Sequence, residues 1–195
     1  MRFSYRHISS VFICALFILS ACHSYAQSGK HRSKSFTKDN VTAFIEDTTA
    51  LTAKDSSNKN LKFIRKYLDR HIDSKARFKT NIVFIVPGME ETTRSLVLGK
   101  QDYIQQVEEG ADAVEDYFTD ISIQDIDISE DEKTASVKTI SSETGLMQVP
   151  NPDGSVDSVP IFGQSDCFQV LKIGRKGYIQ MLSASCETRM EFQNQ

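Results

Sequence analysis

The stretch QSDCFQVLKIGRKGYIQMLSASCETRM, from Gln164 to Met190, carries the strongest folding signal in the chain. Two runs rich in β-branched and aromatic residues flank a turn at 174–177, which is typical of a β-hairpin. The simplest register pairs Ile173 with Tyr178 and Leu171 with Gln180. Apolar side chains then lie on both faces, so we expect helices on one side and a pocket or a partner on the other.

Two cysteines, Cys167 and Cys186, lie on the two arms of this hairpin. In the simplest register Cys167 faces Ala184, which makes the cysteines diagonal neighbours about 7–8 Å apart. That separation is slightly too long for a relaxed disulfide, but one bulge or strong local curvature would bring the cysteines opposite each other. An even pair in an oxidising compartment predicts a disulfide, and the alternative is two small buried thiols.

The composition is that of a soluble globular protein. The 195 residues, 39% hydrophobic and 25% charged, are enough for one domain and a targeting segment. The net charge is -3 and no basic stripe occurs. We therefore expect no nucleic-acid partner.

The first 26 residues read as a secretory signal peptide. Arg2 and Arg6 precede an apolar run, VFICALFIL, and small residues follow it. The run is well short of the roughly 20 residues that a membrane-spanning helix needs. An uncleaved anchor is the alternative. Either way we expect an exported protein in the periplasm, attached to the cell envelope through a lipid, or secreted.

The sequence leaves two cleavage positions open. The residues LSAC, ending at Cys22, resemble a bacterial lipobox, in which the cysteine is acylated; only this lipid would bring the protein to a membrane. Cleavage after Ala26 by an ordinary signal peptidase is the alternative. Loss of residues 1–26 removes two of the 23 basic residues and none of the 26 acidic ones, so the net charge becomes -5. Residues 27–35 are polar and are expected to form a flexible spacer.

The remaining chain alternates between helical and strand periodicity. Helices are predicted over 39–53, 61–71 and 101–114, and a short hairpin over 78–98. Four longer strands follow at 117–128, 134–149, 161–173 and 178–190, with a bulge expected between Ile123 and Ile126. The predicted order is ααββαββββ, which is an α+β fold.

This order resembles the nuclear transport factor 2-like superfamily, also called SnoaL-like. The resemblance covers Phe36 to Phe192 and includes the entry into the third helix, LGKQDYI from Leu98 to Ile104. It implies a cone, in which a strongly curved antiparallel sheet wraps around three helices and leaves a pocket at the open end. It also implies frequent dimerisation through the sheet face.

Catalytic and cofactor motifs are scarce. The predicted domain contains a single histidine, His71, which a helix C-terminus favours. The nucleotide-binding patterns GxGxxG and GxxxxGK[ST] do not occur, so no nucleotide cofactor is expected. One histidine and one cysteine pair cannot form the common zinc sites, so no metal is expected. An acidic cluster over 125–132 lacks the spacing of a calcium loop and is interpreted as a solvated strand end.

Similar enzymes use a carboxylate or a His–Asp pair deep in the cone, with tyrosines as hydrogen-bond donors. Asp166, beside Cys167, is the first candidate, although a rim position facing water is the alternative. The other candidates for the cone interior, which can equally be core residues, are Tyr67, Tyr103, Tyr117 and Gln169.

The favoured function is an exported, non-catalytic module that binds a small hydrophobic ligand or a protein partner in the cell envelope. The alternative is a SnoaL-like isomerase, dehydratase or hydrolase that acts on a small hydrophobic substrate. A subunit of an envelope assembly is a third hypothesis. A buried carboxylate with a raised pKa would favour the enzyme, and an exposed Asp166 would count against it.

Overall fold

The computed structural model describes residues 31–51, 61–111, 113–151 and 153–193. The predicted signal peptide, with Cys22 and both cleavage positions, lies outside these residues. The element order is the predicted ααββαββββ. The helices and strands are α1 Lys38–Ala50, α2 Leu61–His71, β1 Ile72–Ile85, β2 Thr92–Leu98, α3 Lys100–Ala111, β3 Val114–Ile128, β4 Thr134–Pro150, β5 Val156–Ile173 and β6 Ile179–Phe192.

All six strands form one curved sheet in the order β2-β1-β6-β5-β4-β3. Neighbouring strands are antiparallel except β1 and β6, which are parallel. The sequence predicted an antiparallel sheet throughout. The strands β1 and β6 are parallel because both begin at the same end of the sheet. There α2 leads into β1, and the β5–β6 turn leads into β6. We call this the near end, and the opposite end, where β4 joins β5, the far end.

The helices form where capping and apolar spacing agree. Thr37 accepts a hydrogen bond from the Asn40 backbone, while the Asn40 side chain accepts one from the Thr37 backbone. Val41, Phe44 and Ile45 then bury one stripe of α1. Together with α2 and α3 this stripe covers the near half of the concave sheet face.

The two faces of the sheet differ in how far their side chains are buried. Along β5 the odd-numbered residues from Ile161 to Leu171 are buried, while alternating residues such as Phe162 and Phe168 are exposed. Phe168 is 44% exposed. Within the described chain, one face of the last hairpin therefore carries the helices, and the other faces outward, where a covering partner stays a prediction.

The last hairpin uses a different register from the predicted one. Ile173 pairs with Ile179, since Tyr178 belongs to the turn, and the register shifts between Val170 and Leu171. The changed turn and this bulge each shift the register by one residue and together place Cys167 opposite Cys186; the two form a disulfide with a Cα–Cα distance of 4.2 Å. The predicted disulfide is therefore present, although two register shifts produce it where one bulge was expected. The bulge expected after Ile123 is also present.

Residues 31–36, which we call the strap, lie along the near end of the sheet. The Ile179 backbone donates a hydrogen bond to the His31 carbonyl at 2.9 Å, and the Ser33 backbone donates to the Gly177 carbonyl at 2.8 Å. Gly177 has φ +77°, and a Cβ there would lie 3.0 Å from the Ser33 carbonyl oxygen. Residues 31–35 had been predicted as part of a flexible spacer; these contacts hold them on the domain instead.

The main core fills the near half, and a second apolar cluster lies at the far end. This second cluster consists of Val114, Met147, Ile161 and Met190, and the partly buried residues Phe84, Tyr117, Val149 and Phe192 pack around it. Within the described ranges, no helix is both long enough and apolar enough to cross a bilayer.

Candidate functional site

Buried polar side chains cross the middle of the concave face between the two apolar clusters. Most are small, and they come from five neighbouring strands. A short hydrogen bond of 2.9 Å joins Ser165 to Thr188, and the Gln169 amide donates to Thr139 at 3.2 Å. We call this set the polar belt: Thr80, Thr119, Thr139, Ser141, Glu143, Ser165, Gln169 and Thr188.

Glu143 is the only carboxylate of the polar belt. It lies on β4 between Thr119 of β3 and Gly163 of β5, and it is 1% exposed. Ser141 donates a long hydrogen bond of 3.5 Å to Oε1, and the Tyr117 hydroxyl also donates to the carboxylate. Oε2 has no hydrogen-bond partner among the described residues. A carboxyl group in this position is a candidate for ligand binding or proton transfer.

Burial dominates the electrostatics of Glu143. Desolvation raises the pKa of its carboxyl group to about 8, and the hydrogen bonds from Tyr117 and Ser141 lower it by less. Glu143 therefore carries its proton over most of the neutral range. It can donate as well as accept a hydrogen bond, and it becomes a base above about pH 8.

A bulge in β3 brings Tyr117 to this carboxyl group. The register shifts between Glu115 and Phe118, and Asp116 adopts a left-handed conformation with φ 47°. Val114 and Tyr117 consequently both face inward, although they are three positions apart along the strand. Gly145 lies against this bulge, where a Cβ would come within 2.5 Å of Val114 Cγ1. The backbone is therefore specialised at the point that positions Tyr117.

Two tyrosines face the polar belt. Tyr103 of α3 stacks on Phe78 at 4.0 Å between ring centroids, and burial raises its pKa. Burial also raises the pKa of Tyr117 well above its usual value, with contributions from Glu143 and from Tyr103. Both phenols stay protonated at neutral pH and act as hydrogen-bond donors.

The structure separates the five predicted site residues. Tyr103, Tyr117 and Gln169 lie on the concave side of the sheet. Tyr67 is buried at the near end, where its hydroxyl contacts Thr48 at 2.9 Å and its ring lies 4.4 Å from that of His71. Asp166 is exposed on the outer face. Its prediction as a cone residue was wrong because it alternates with the inward Ser165 and Cys167.

Glu143 was missed because it stands in a run of polar residues, SSETG, without an apolar pattern. A usable signal was present in the strand alternation. Ala135 and Val137 face the core, and every second residue after Val137 leads through Thr139 and Ser141 to Glu143.

His71 has a structural role at the near end. It is 2% exposed, and its Nδ1 lies 2.8 Å from the Ile179 carbonyl oxygen. Burial lowers its pKa to about 4, more than the backbone hydrogen bond raises it, so the ring is neutral at pH 7. In the part of the chain that the structure describes, no three His, Cys, Asp or Glu side chains meet in an arrangement for binding a metal.

Comparison with known proteins gives a likeness of fold. No protein-family model and no curated protein matches the chain. A putative scytalone dehydratase from Novosphingobium aromaticivorans superposes with a TM-score of 0.51 at 11% identity, over 80% of this chain and 86% of that one. The fold is of the nuclear transport factor 2-like type. The identity is too low to carry more than the fold.

Two further solved structures match with lower scores. A ketosteroid isomerase-like protein from Erwinia carotovora atroseptica has a TM-score of 0.37 at 14% identity, over 66% of this chain and 81% of that one. A type 2 hexachlorocyclohexane dehydrochlorinase has a TM-score of 0.45 at 7% identity, over 68% and 78%.

The raised pKa of Glu143 makes stability depend on pH. The folded state keeps its proton up to about pH 8, whereas the unfolded state loses it near the ordinary value of 4.5, so the free energy of unfolding falls as pH rises between these values. Glu143→Gln removes this dependence. We expect the difference in the free energy of unfolding, variant minus unmodified protein, to increase by up to about 4 kcal/mol from pH 5 to pH 9. Urea denaturation at each pH measures this difference.

Asp166→Asn provides the matched control, because it makes the same kind of change on the exposed outer face. Parallel pH profiles of the Glu143→Gln variant and the unmodified protein would show that Glu143 titrates normally.

Proposed function

We propose that this protein is an exported small-molecule-binding domain. Residues 1–26 direct it to the cell envelope, where Cys22 is the lipid-attachment site or cleavage after Ala26 releases the domain. The ligand is a small hydrophobic molecule that binds in the cone. The observation that carries this proposal is Glu143, a buried carboxyl group beside Tyr117 at the border between the polar belt and the far apolar cluster.

The two sides of this border define the chemistry of the ligand. Val114, Met147, Ile161 and Met190, all buried, form the apolar cluster against which a hydrophobic body would pack. Glu143 Oε2 offers a polar atom to one oxygen-bearing group. A protonated carboxyl group can donate to a carbonyl or accept from a hydroxyl, so a hydroxyl or carbonyl compound with an apolar ring satisfies both sides.

Binding of 2-naphthol and naphthalene tests this preference, since the two differ only in a hydroxyl group. We expect the protein to bind 2-naphthol roughly tenfold more tightly, as one buried hydrogen bond allows. Glu143→Leu should bring the two affinities within about twofold of each other. Isothermal titration calorimetry or ligand-detected NMR measures both.

Asp166→Leu, on the outer face, serves as the control and should preserve the preference. Equal affinities in the unmodified protein, or no binding of either compound up to its solubility limit, would contradict the proposal.

A second candidate function, proton transfer, is favoured by the pKa of Glu143 near 8. The carboxylate form can take a proton from a carbon next to a carbonyl group: the C–H bond breaks, its electrons form an enolate, and Glu143 gains the proton. Return of that proton to another carbon is an isomerisation. Tyr117 acts as a positioning residue, because its hydroxyl donates to the carboxylate.

Exchange of the α-protons of 2-indanone in deuterium oxide tests this chemistry without knowledge of the natural substrate. We expect the protein-dependent exchange rate, followed by proton NMR, to rise with pH through about 8, as the base form of Glu143 appears. Glu143→Gln should remove the acceleration, and Asp166→Asn should leave it unchanged. No acceleration by the unmodified protein would leave only the binding function.

The partner on the outer face is proposed to be a second copy of the chain. Four apolar side chains there are at least 36% exposed and extend over three neighbouring strands: Phe118 on β3, Ile140 on β4, and Phe162 and Phe168 on β5. Exposed apolar groups concentrated on one face are typical of an association surface.

Sedimentation velocity tests this association. We expect the unmodified chain to be a dimer, and Phe168→Lys to shift it toward monomer by placing an unpaired charge in the interface. Met89→Lys, which changes an equally exposed apolar residue in the β1–β2 turn, should remain dimeric. A monomer at high micromolar concentration of the unmodified chain would exclude the dimer.

A further inference from the structure

Four basic side chains surround the point where the strap meets the last hairpin turn. They are Arg32 of the strap, Arg70 of α2, and Arg175 and Lys176 of the turn, and we call them the basic patch. Arg32, Arg175 and Lys176 are exposed, and Arg70 is partly exposed. The patch belongs to neither the polar belt nor the outer-face apolar residues.

Tyr178 holds two members of the patch together. The Arg32 guanidinium carbon lies 4.3 Å from the centroid of the Tyr178 ring, and that of Arg70 lies 5.3 Å from it. Arg32 also donates a hydrogen bond to the Tyr178 hydroxyl. The neighbouring turn is closed by a 2.8 Å hydrogen bond from the Gly174 backbone to the Tyr178 carbonyl, which fixes the position of Arg175 and Lys176. The ring and the turn thus order four cations on one surface.

These cations are not neutralised by the fold. Within the described residues, none of the four forms a salt bridge, although nearby acids do: Asp47 pairs with His31 and Asp73 with Lys172. The chain as a whole is acidic, with a net charge of -3. Attraction to an anionic surface must therefore be local to this patch and cannot come from net charge.

An acidic turn at 130–132 occupies the same end of the sheet, but it lies farther along the strap. The Phe36 backbone donates to the Glu132 carbonyl at 2.9 Å, four residues from Arg32. The acidic turn and the basic patch therefore contact opposite ends of the strap.

We propose that the basic patch docks the domain onto the phosphate headgroups of an anionic phospholipid membrane. This rests on the part of the proposed function that places a lipid on Cys22. Only residues 23–30 separate Cys22 from the strap, and nine extended residue steps reach about 30 Å at most. A lipid on Cys22 thus keeps the near end, with its basic patch, within reach of the bilayer surface.

The same arrangement orients the proposed ligand site. The patch and the strap lie at the near end, whereas the apolar cluster next to Glu143 lies at the far end of the sheet. Docking through the patch would turn the far end away from the membrane. Each basic residue near an anionic bilayer strengthens binding roughly fivefold, so four act together appreciably.

Vesicle co-sedimentation tests this proposal with the unlipidated chain 27–195, which retains every described residue. We expect binding to vesicles with 30% phosphatidylglycerol, weak binding to pure phosphatidylcholine, and a loss of binding in high salt. The pair Arg175→Gln and Lys176→Gln should weaken the partition onto anionic vesicles roughly tenfold or more. Both side chains are exposed, so the variant should keep its melting temperature.

The control pair Lys79→Gln and Lys138→Gln loses the same charge on the outer sheet face and should leave binding nearly unchanged. Arg32→Gln with Arg70→Gln gives a second variant that should weaken binding through different backbone positions. Equal partition onto both kinds of vesicle, or an equal loss in the control pair, would overturn the proposal. So would complete competition by millimolar glycerol phosphate, which would indicate a site for small phosphates. Binding of 2-naphthol does not depend on the patch, so this outcome stays separate from that of the ligand proposal.

Discussion

The two-residue alternation of side chains along four long strands is the constraint on which this structure depends. The three helices cover one face of the sheet, so alternate residues along much of β4, β5 and β6 are buried and their neighbours face outward, while the inward residues of the edge strand β3 are mostly only partly buried. A shift by one residue would exchange the two faces. The disulfide between Cys167 and Cys186 and the bulges in β3 and β6 maintain the register that avoids this exchange.

The buried face is not uniformly apolar, and this exception defines the candidate site. Its near half packs against the helices and its far half forms a second apolar cluster, but the middle carries the polar belt. Placing Glu143 there costs solvation, which appears as a raised pKa. A fold that needed only stability would place an apolar side chain at this position. The retention of a carboxyl group, met by a tyrosine on a strained bulge, is the physical reason to assign it a role in binding or proton transfer.

The two ends of the sheet are suited to different tasks. At the near end the strap, the last turn and α2 meet around Tyr178 and His71, and the hydrogen bonds there are mostly between backbone groups and buried rings. That end is closed and carries the uncompensated basic residues on its surface. The far end carries the smaller apolar cluster and Glu143. In the proposed function, the near end is the one held at a surface and the far end is the one that binds the small molecule.

The sequence alone determined the element order and the α+β class, and it predicted a disulfide between Cys167 and Cys186 with two buried thiols as the alternative. These features follow from local periodicity, turn residues and the chemistry of a cysteine pair, which operate over a few residues. It also named Tyr103, Tyr117 and Gln169 as candidates for the cone interior, and Tyr117 reaches that side only through the bulge in β3. Only the tertiary structure decided that Asp166 faces outward and Glu143 inward. Those assignments depend on the face that the helices cover and on bulges that change the alternation, and neither is set by neighbours along the chain. The basic patch likewise joins residues 32, 70 and 175–176, which only the packing of the strap against the last turn brings together.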